Sequence, residues 1–503
     1  MTATTPPLVQ HWIDGAPYDG AGSVLAPIHD PATGEVIAQV AHASAADVDR
    51  AVASALAAAQ GWADTPVARR ASVLFRFREL LVGATDELAA VITCEHGKVL
   101  SDARGEVGRG LEVVEFACGV PQALKGEFSD QAASGIDVYS FRQPLGVVAG
   151  ITPFNFPAMI PLWMSPVAIA TGNAFVLKPP GRDPGAAMVI ARLWKEAGLP
   201  DGVFSVVHGE KEVVEALLAH PDVAAISFVG SSTTAKIVHE VGTRNGKRVQ
   251  ALGAAKNHGL VLADADLEST ADHLVAAAYG AAGERCMALP VAVVAEEVAD
   301  QLVALLRERA TAVKVAPGTT PDADMGAVIS RAAKDRITGL IDSAEAEGAE
   351  LVVDGRGYTV PGHEGGYWLA PTLLDRVTPD MSIHQVEVFG PTLEIIRVQG
   401  LEDGLEIINA SPYGNGAAIF TRSGQAARTF VRRVQAGMVG VNVPIPVPVA
   451  WHSFGGWKAS LVGDTHMYGP EGVRFFTRAK VVTQRWPEAP TTTSFHFSGD
   501  AQK

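Results

Sequence analysis

Residues 143–177, QPLGVVAGITPFNFPAMIPLWMSPVAIATGNAFVL, contain no Asp, Glu, Lys or Arg. A charge-free run of that length belongs either in a bilayer or in the interior of a large folded domain. Pro144, Pro153, Pro157, Pro161 and Pro166 interrupt it, together with Asn155 and Asn173. A spanning helix must satisfy its own backbone groups and tolerates a proline, but rarely five. The run therefore reads as strand, functional loop, apolar helix and strand, buried in a soluble core. The chain is long enough for that: 503 residues, 48% hydrophobic, predict about three domains at ~100–200 residues each.

A repeated βα rhythm surrounds this segment. GVVAGIT (146–152), AFVLKP (174–179), VFSVVHG (203–209) and AAISFVGS (224–231) read as buried strands. Helices are expected between them, from Asp183 and Pro184 to about 197, over 210–219 and over 232–242. That alternation predicts an α/β fold with a parallel, doubly wound sheet and right-handed crossovers. Upstream, an irregular start precedes three helices. One is capped by Ser44, one starts at Thr65 and Pro66, and one covers about 101–118. Downstream, strands near 260–263 and 291–295 and helices near 266–280, 297–313 and 330–347 predict a second α/β region. Residues 126–144 read as a small hairpin, and 474–487 as a strand that could pair with it or with another subunit. A projecting hairpin is marginal alone, so a covering partner chain is expected.

Charge and cysteine content narrow the function. Forty basic and 55 acidic residues leave a net charge of −15, which argues against a nucleic-acid partner. The first 40 residues have no Arg or Lys, so neither a secretory nor an organelle-targeting leader is expected and the cytoplasm is the default. Three cysteines exclude a disulfide-built scaffold. Cys94 and Cys118 fall on apolar helix faces and are expected to be packing thiols. Cys286, in AAGERCMA (281–288), follows a predicted helix beside Arg285, whose charge could stabilise a thiolate. A buried, inert thiol and a nucleophile both fit that context. Asn155 sits between Phe154 and Phe156; its amide could fix a loop or donate to a developing oxyanion. FVGSSTTA (228–235) offers Gly230 and Ser231 at a strand-to-helix turn, which suits an anion but equally an ordinary βα connection.

Taken in order, TPFNFP (152–157), FVLKP (175–179), FVGS (228–231), GERCMA (283–288) and EVFGP (387–391) resemble the aldehyde dehydrogenase superfamily over roughly residues 10–485. GEVGRGLEVVEFA (105–117), KRVQALGAAKNH (247–258) and GGWKAS (455–460) are most similar to its CoA-acylating methylmalonate-semialdehyde branch. The resemblance implies a Rossmann-type dinucleotide domain (1–125 and 145–254), an α/β catalytic domain (255–455) and a β oligomerisation arm (126–144 and 470–490) in a homotetramer. It makes Cys286 the nucleophile and Asn155 the oxyanion donor. It places Thr152, Phe154, Lys178, Ser231, Glu387 and Phe389 around NAD. The chain departs at Gly181, where the family often has a ribose-binding glutamate, so NADP is not excluded; the neighbouring Arg182 could meet a phosphate. The segment VQALGAAK (249–256) lacks the water-activating glutamate of hydrolytic members, which points to CoA as acyl acceptor and to CO2 loss giving propionyl-CoA or acetyl-CoA. Hydrolysis to a free acid is the alternative, with Glu471 as a surrogate base. Arg109 and Arg285 are the expected clamp for a substrate carboxylate. No metal is expected.

Overall fold

The structure is a computed structural model, in which residues 6–21 and 24–486 are described. The charge-free run folds as read. Val147–Ile151 and Ala174–Lys178 are adjacent, fully buried strands, and between them Met159–Ala170 forms a helix with every residue buried. Asn173 explains the tight return: its side-chain oxygen accepts from the N–H groups of Leu145 and Gly146 at 2.7 and 3.1 Å. Its NH2 donates to the carbonyls of Ala168 and Phe476.

These strands sit inside an eight-stranded sheet. Its parallel centre runs Arg248–Leu252, Val223–Val229, Val147–Ile151, Ala174–Lys178, Phe204–Val206. Short antiparallel strands flank it, Leu461–Val462 on one side and His11–Ile13 with Ala16–Tyr18 on the other. Side chains alternate between the sheet's faces, so each strand feeds two cores. Val148, Phe175 and Leu177 join one; Val147, Ala149 and Val176 join the other.

A seven-stranded sheet forms a separate core. Its parallel centre includes Thr392–Val398, Val291–Ala295, His258–Val261, Gly416–Phe420 and Met438–Val441. A third, antiparallel sheet joins Phe128–Ala133, Ile136–Pro144 and Thr477–Arg485, so the C-terminal strand does pair with the hairpin of its own chain. The last residues of the expected arm, 487–490, lie outside the described residues.

Several expectations need correction. The start is not irregular: Leu8–Val9, His11–Ile13, Ala16–Tyr18, Leu25–His29 and Val36–Ala41 are all strands. An additional helix, Thr85–His96, follows Val67–Gly83 after a single residue. Cys94, on that helix, is exposed rather than packed, whereas Cys118 is buried. Among the described residues, no helix is long and apolar enough to cross a membrane.

Candidate active site

In the parallel centre, the chain proceeds outward from Val147–Ile151 through the next two strands, then returns to its other side at Val223–Val229. The switch point therefore lies between Val147–Ile151 and Val223–Val229, where loops diverge and leave a crevice. The loops leaving those two strands carry TPFNFP and VGSS. Pro153, Phe154 and Asn155 from one, and Gly230 and Ser231 from the other, line a cavity of about 270 Å³ with Gly253, Ala254, Arg336, Glu387, Phe389 and Cys286. Ser231, which lines the crevice, caps the helix Ser232–Arg244, its side chain accepting from Thr234 N–H, so that helix begins beside the crevice.

Cys286 reaches this crevice from the second sheet. After the helix Leu267–Tyr279 the chain turns through Gly280–Gly283, with Ala281 and Ala282 held in the left-handed region at φ 50° and 53°. That costs backbone strain in two alanines, and the surrounding contacts must hold it in place. Asn257 Nδ2 donates to the Cys286 carbonyl at 3.0 Å and to the Ala288 carbonyl at 2.7 Å; Asn415 Nδ2 also reaches the Cys286 carbonyl at 3.2 Å. Burial pushes the thiol up to about 12, and the Glu387 charge adds to it. The backbone N–H groups of Cys286 and Met287, and Arg285, pull the other way and do not prevail. Arg285 is less available to the thiolate than its adjacency suggests, because it is ion-paired with Asp102 at 2.6 Å.

On its other side Cys286 opens into a cavity of about 460 Å³, lined among others by Arg109, Arg285, Phe156, Trp163, Ile445 and Val447. The two arginines expected to meet a carboxylate thus share one cavity with the thiol. Each already has an acid: Arg109 bonds Glu112 at 2.7 Å, and donates to the carbonyls of Val447 and Pro448.

The remaining predicted residues surround the first cavity or lie behind it. Glu387 Oε1 accepts from Ala255 N–H at 2.8 Å, and burial raises its carboxyl to about 7. Phe389, at φ 51°, stands edge-on to Phe154 at 5.8 Å. Lys178 is buried, and no hydrogen bond or ion pair among the described residues holds its ammonium; burial lowers its pKa. Thr152 is buried behind the loop, its N–H bonded to the Lys178 carbonyl. Arg182 points elsewhere, donating to Ser330 Oγ at 2.8 Å. Glu471 bonds Arg474 at 3.0 Å and lines neither cavity that holds Cys286.

The comparisons with known proteins agree with this geometry. Residues 19–482 match the aldehyde dehydrogenase family model. The chain belongs to the aldehyde dehydrogenase family. It is 54% identical to a malonate-semialdehyde dehydrogenase of Pseudomonas aeruginosa, over 97% of this chain and 99% of the relative. It is 46% identical to an acylating methylmalonate-semialdehyde/malonate-semialdehyde dehydrogenase of Rattus norvegicus, over 98% and 92%. A Sinorhizobium meliloti structure assigned as a methylmalonate-semialdehyde dehydrogenase, solved with NAD, superposes at a TM-score of 0.96 with 49% identity over 97% and 99%.

Three features of this aldehyde dehydrogenase escaped the sequence reading. Lys98 is fully buried; its ammonium donates to the Asn155 carbonyl at 2.6 Å and to Glu106 at 2.8 Å. The other Glu106 oxygen accepts from the N–H groups of Ala158 and Met159. This pair clamps the loop that carries Asn155. Arg336, which also lines the first cavity, donates to the carbonyls of Glu387 and Val388 and so holds the EVFGP loop. Glu95, Asp183 and Glu284 are further buried acids, all raised by burial, Glu95 to about 7 and Glu284 to about 8. The signal available for Lys98 was a lysine between apolar residues at a helix start; only tertiary contacts reveal its partners. Among the described residues, no cluster of three His, Cys, Asp or Glu side chains is placed to hold a metal ion.

Proposed function

We propose that this aldehyde dehydrogenase oxidises a short semialdehyde that carries a carboxylate, methylmalonate or malonate semialdehyde, using NAD, and transfers the acyl group to CoA with loss of CO2. One observation carries the reading. Gly253 and Ala254 are the residues of the VQALGAAK segment that face the thiol's cavity, and neither can activate water.

The cavities divide the work. The crevice at the switch point fits a dinucleotide: it offers helix N–H groups beside Ser231, a buried ammonium at Lys178 that no ion pair among the described residues holds, and Glu387 for a ribose. The second cavity brings the substrate carboxylate to Arg109 and Arg285. Cys286 loses its proton and attacks the aldehyde carbon, forming a carbon–sulfur bond. The oxyanion forms where the Asn155 amide and the Cys286 N–H can donate to it. NAD, when bound, supplies the hydride acceptor that converts the thiohemiacetal to a thioester. Without an activated water that thioester persists until the CoA thiolate displaces Cys286. The β-carboxylate leaves as CO2 and a proton takes its place, giving propionyl-CoA or acetyl-CoA.

Residues 1–125 with 145–254 form the cofactor half, 255–455 bring the cysteine, and 126–144 with 470–490 form an arm that completes a homotetramer. The names of the relatives support the substrate class, and the NAD complex of the similar structure supports the cofactor. Steady-state NADH formation tests the whole reading. Multiple turnovers are expected only with CoA, and Cys286→Ala should abolish them; equal rates without CoA would refute the acyl transfer. A hydrolytic reading has one observation in its favour: Glu387, raised to about 7, shares the cavity with the thiol. Mass spectrometry of the product decides between them, since a free acid formed without CoA supports hydrolysis.

A further inference from the structure

The family's usual glutamate three residues after Lys178 is replaced by Gly181, which leaves selection between NAD and NADP unexplained. The space is not empty. A β-carbon on Gly181 would stand 2.5 Å from Glu210 Oε1 and 3.9 Å from His42 Nε2. Glu210 comes from the loop between Phe204–Val206 and the helix Lys211–Ala219, one strand further along the sheet. Its carboxylate therefore leans over the Gly181 backbone, into the place that a side chain at 181 would occupy. Among the described residues it has no ion pair. His42 Nε2 is buried there without a hydrogen-bond partner. Lys178, at the end of the neighbouring strand, brings a buried ammonium that no ion pair among the described residues holds.

We propose that Glu210 is the residue that selects NAD over NADP, by presenting its carboxylate to the adenosine ribose hydroxyls from a different strand. The inference rests on the crevice being the dinucleotide site. A carboxylate accepts hydrogen bonds from a ribose diol and repels a 2′-phosphate, so it discriminates in both directions. Arg182, next in sequence to Gly181, does not offset it, because its guanidinium is turned to Ser330. Burial depresses the Lys178 ammonium and Glu210 opposes that shift, so the two charges act on one another across the subsite. The glycine leaves the Glu210 carboxylate this position: a side chain at 181 would require it to move aside.

Calorimetric titration with ADP-ribose and 2′-phospho-ADP-ribose isolates the adenosine half from catalysis. The wild type should bind ADP-ribose at least about tenfold more tightly than its 2′-phosphate. Glu210→Gln should bring the two affinities within about threefold, mainly by tightening the phosphorylated ligand. The double variant Gly181→Glu/Glu210→Gly, which moves the carboxylate to the adjacent backbone, should restore the discrimination. An unchanged ratio in Glu210→Gln, with ADP-ribose still bound, overturns the inference and leaves the cofactor site standing. A wild type that prefers the 2′-phosphate overturns it as well. If neither ligand binds the wild type, the cofactor reading itself fails.

Discussion

Cys286 combines two properties that pull apart. It stands where two cavities meet, yet its thiol is held near 12 in the free protein by burial and by Glu387. Far below its pKa, the thiolate fraction rises tenfold per pH unit, and the thiolate is the nucleophile. Iodoacetamide labelling of Cys286 should therefore climb with a slope near one on a logarithmic plot from pH 7 to 9. A plateau near neutrality would contradict this environment. Glu387→Gln removes a charge that raises the thiol, so labelling at pH 8 should become several-fold faster; a slower rate would show that Glu387 helps ionisation. Arg285 makes a second test. In Arg285→Met a lost carboxylate contact should raise the substrate KM about tenfold with kcat changed far less, the signature of lost ground-state binding. A fall in kcat alone would assign Arg285 to the chemistry. The residues alone left Cys286 and Asn155 open between packing and chemistry; the order of the motifs around them, not their local surroundings, singled them out. Glu210 could not be singled out that way, because its relation to Gly181 exists only after two strands pair.

At the scale of elements, a buried ion pair holds the catalytic loop. Lys98 and Glu106 flank the start of the helix Leu100–Cys118 and together grip the Asn155 carbonyl and two N–H groups of the next helix. Removing one partner leaves the other charge buried, a loss of about 3–5 kcal/mol. Lys98→Met should lower stability by that amount in urea titration. At 20 °C, where it remains folded, kcat should drop while KM for aldehyde stays nearly constant, because Asn155 is mispositioned and substrate binding is not. An unchanged kcat would confine Lys98 to stability. The same region predicts a pH effect. Glu284 is raised from 4.5 to about 8, so its contribution to stability is complete below its unfolded value and is lost as pH rises through 8. Melting temperature should fall from pH 6 to 9, and Glu284→Gln should flatten that fall; an identical slope would remove Glu284 as the cause. The elements themselves were legible in proportion to their apolar continuity. Val147–Ile151 and, up to Lys178, Ala174–Lys178 are apolar runs because both sheet faces are covered. Arg248–Leu252 escaped because Gln250 interrupts it, an amide satisfied by Ser227 and the His466 carbonyl. The N-terminal strands are only two to six residues long and pair mostly with one another, with His11–Ile13 alone reaching a distant strand, Phe204–Val206. Thr85–His96 has no side-chain N-cap to announce it.

The whole molecule is arranged around opposed sheet edges. The first sheet presents its C-terminal edge, with the loops of the switch point, and the second presents its N-terminal edge, with Cys286 just before Val291. That opposition explains why one chain needs two α/β cores to make one site. No residue of the third sheet lines either cavity that holds Cys286, and its exposed side chains suit the proposed subunit contact. Phe128 is 63% exposed and Val481 66%, on a three-stranded sheet with two open edges, and Trp486, just past its last strand, is 82% exposed. Exposed edges and apolar side chains together invite pairing with another chain, and soluble proteins leave such a surface uncovered only at a cost in aggregation. The −15 charge of the chain opposes association in general, so a specific apolar contact is required to overcome it. Val481→Glu places a charge in the middle of Thr477–Arg485, opposite Ser140, without disturbing either core. Light scattering after gel filtration should show the wild type as a tetramer and the variant as a smaller species with the same near-ultraviolet circular dichroism. Because Cys286, Asn155 and the cavities they line are built from one chain, the smaller species should still bind ADP-ribose. A variant that remains tetrameric would move the subunit contact away from this arm, and a wild type that runs as a monomer would leave the arm's exposed apolar residues without the role assigned to them.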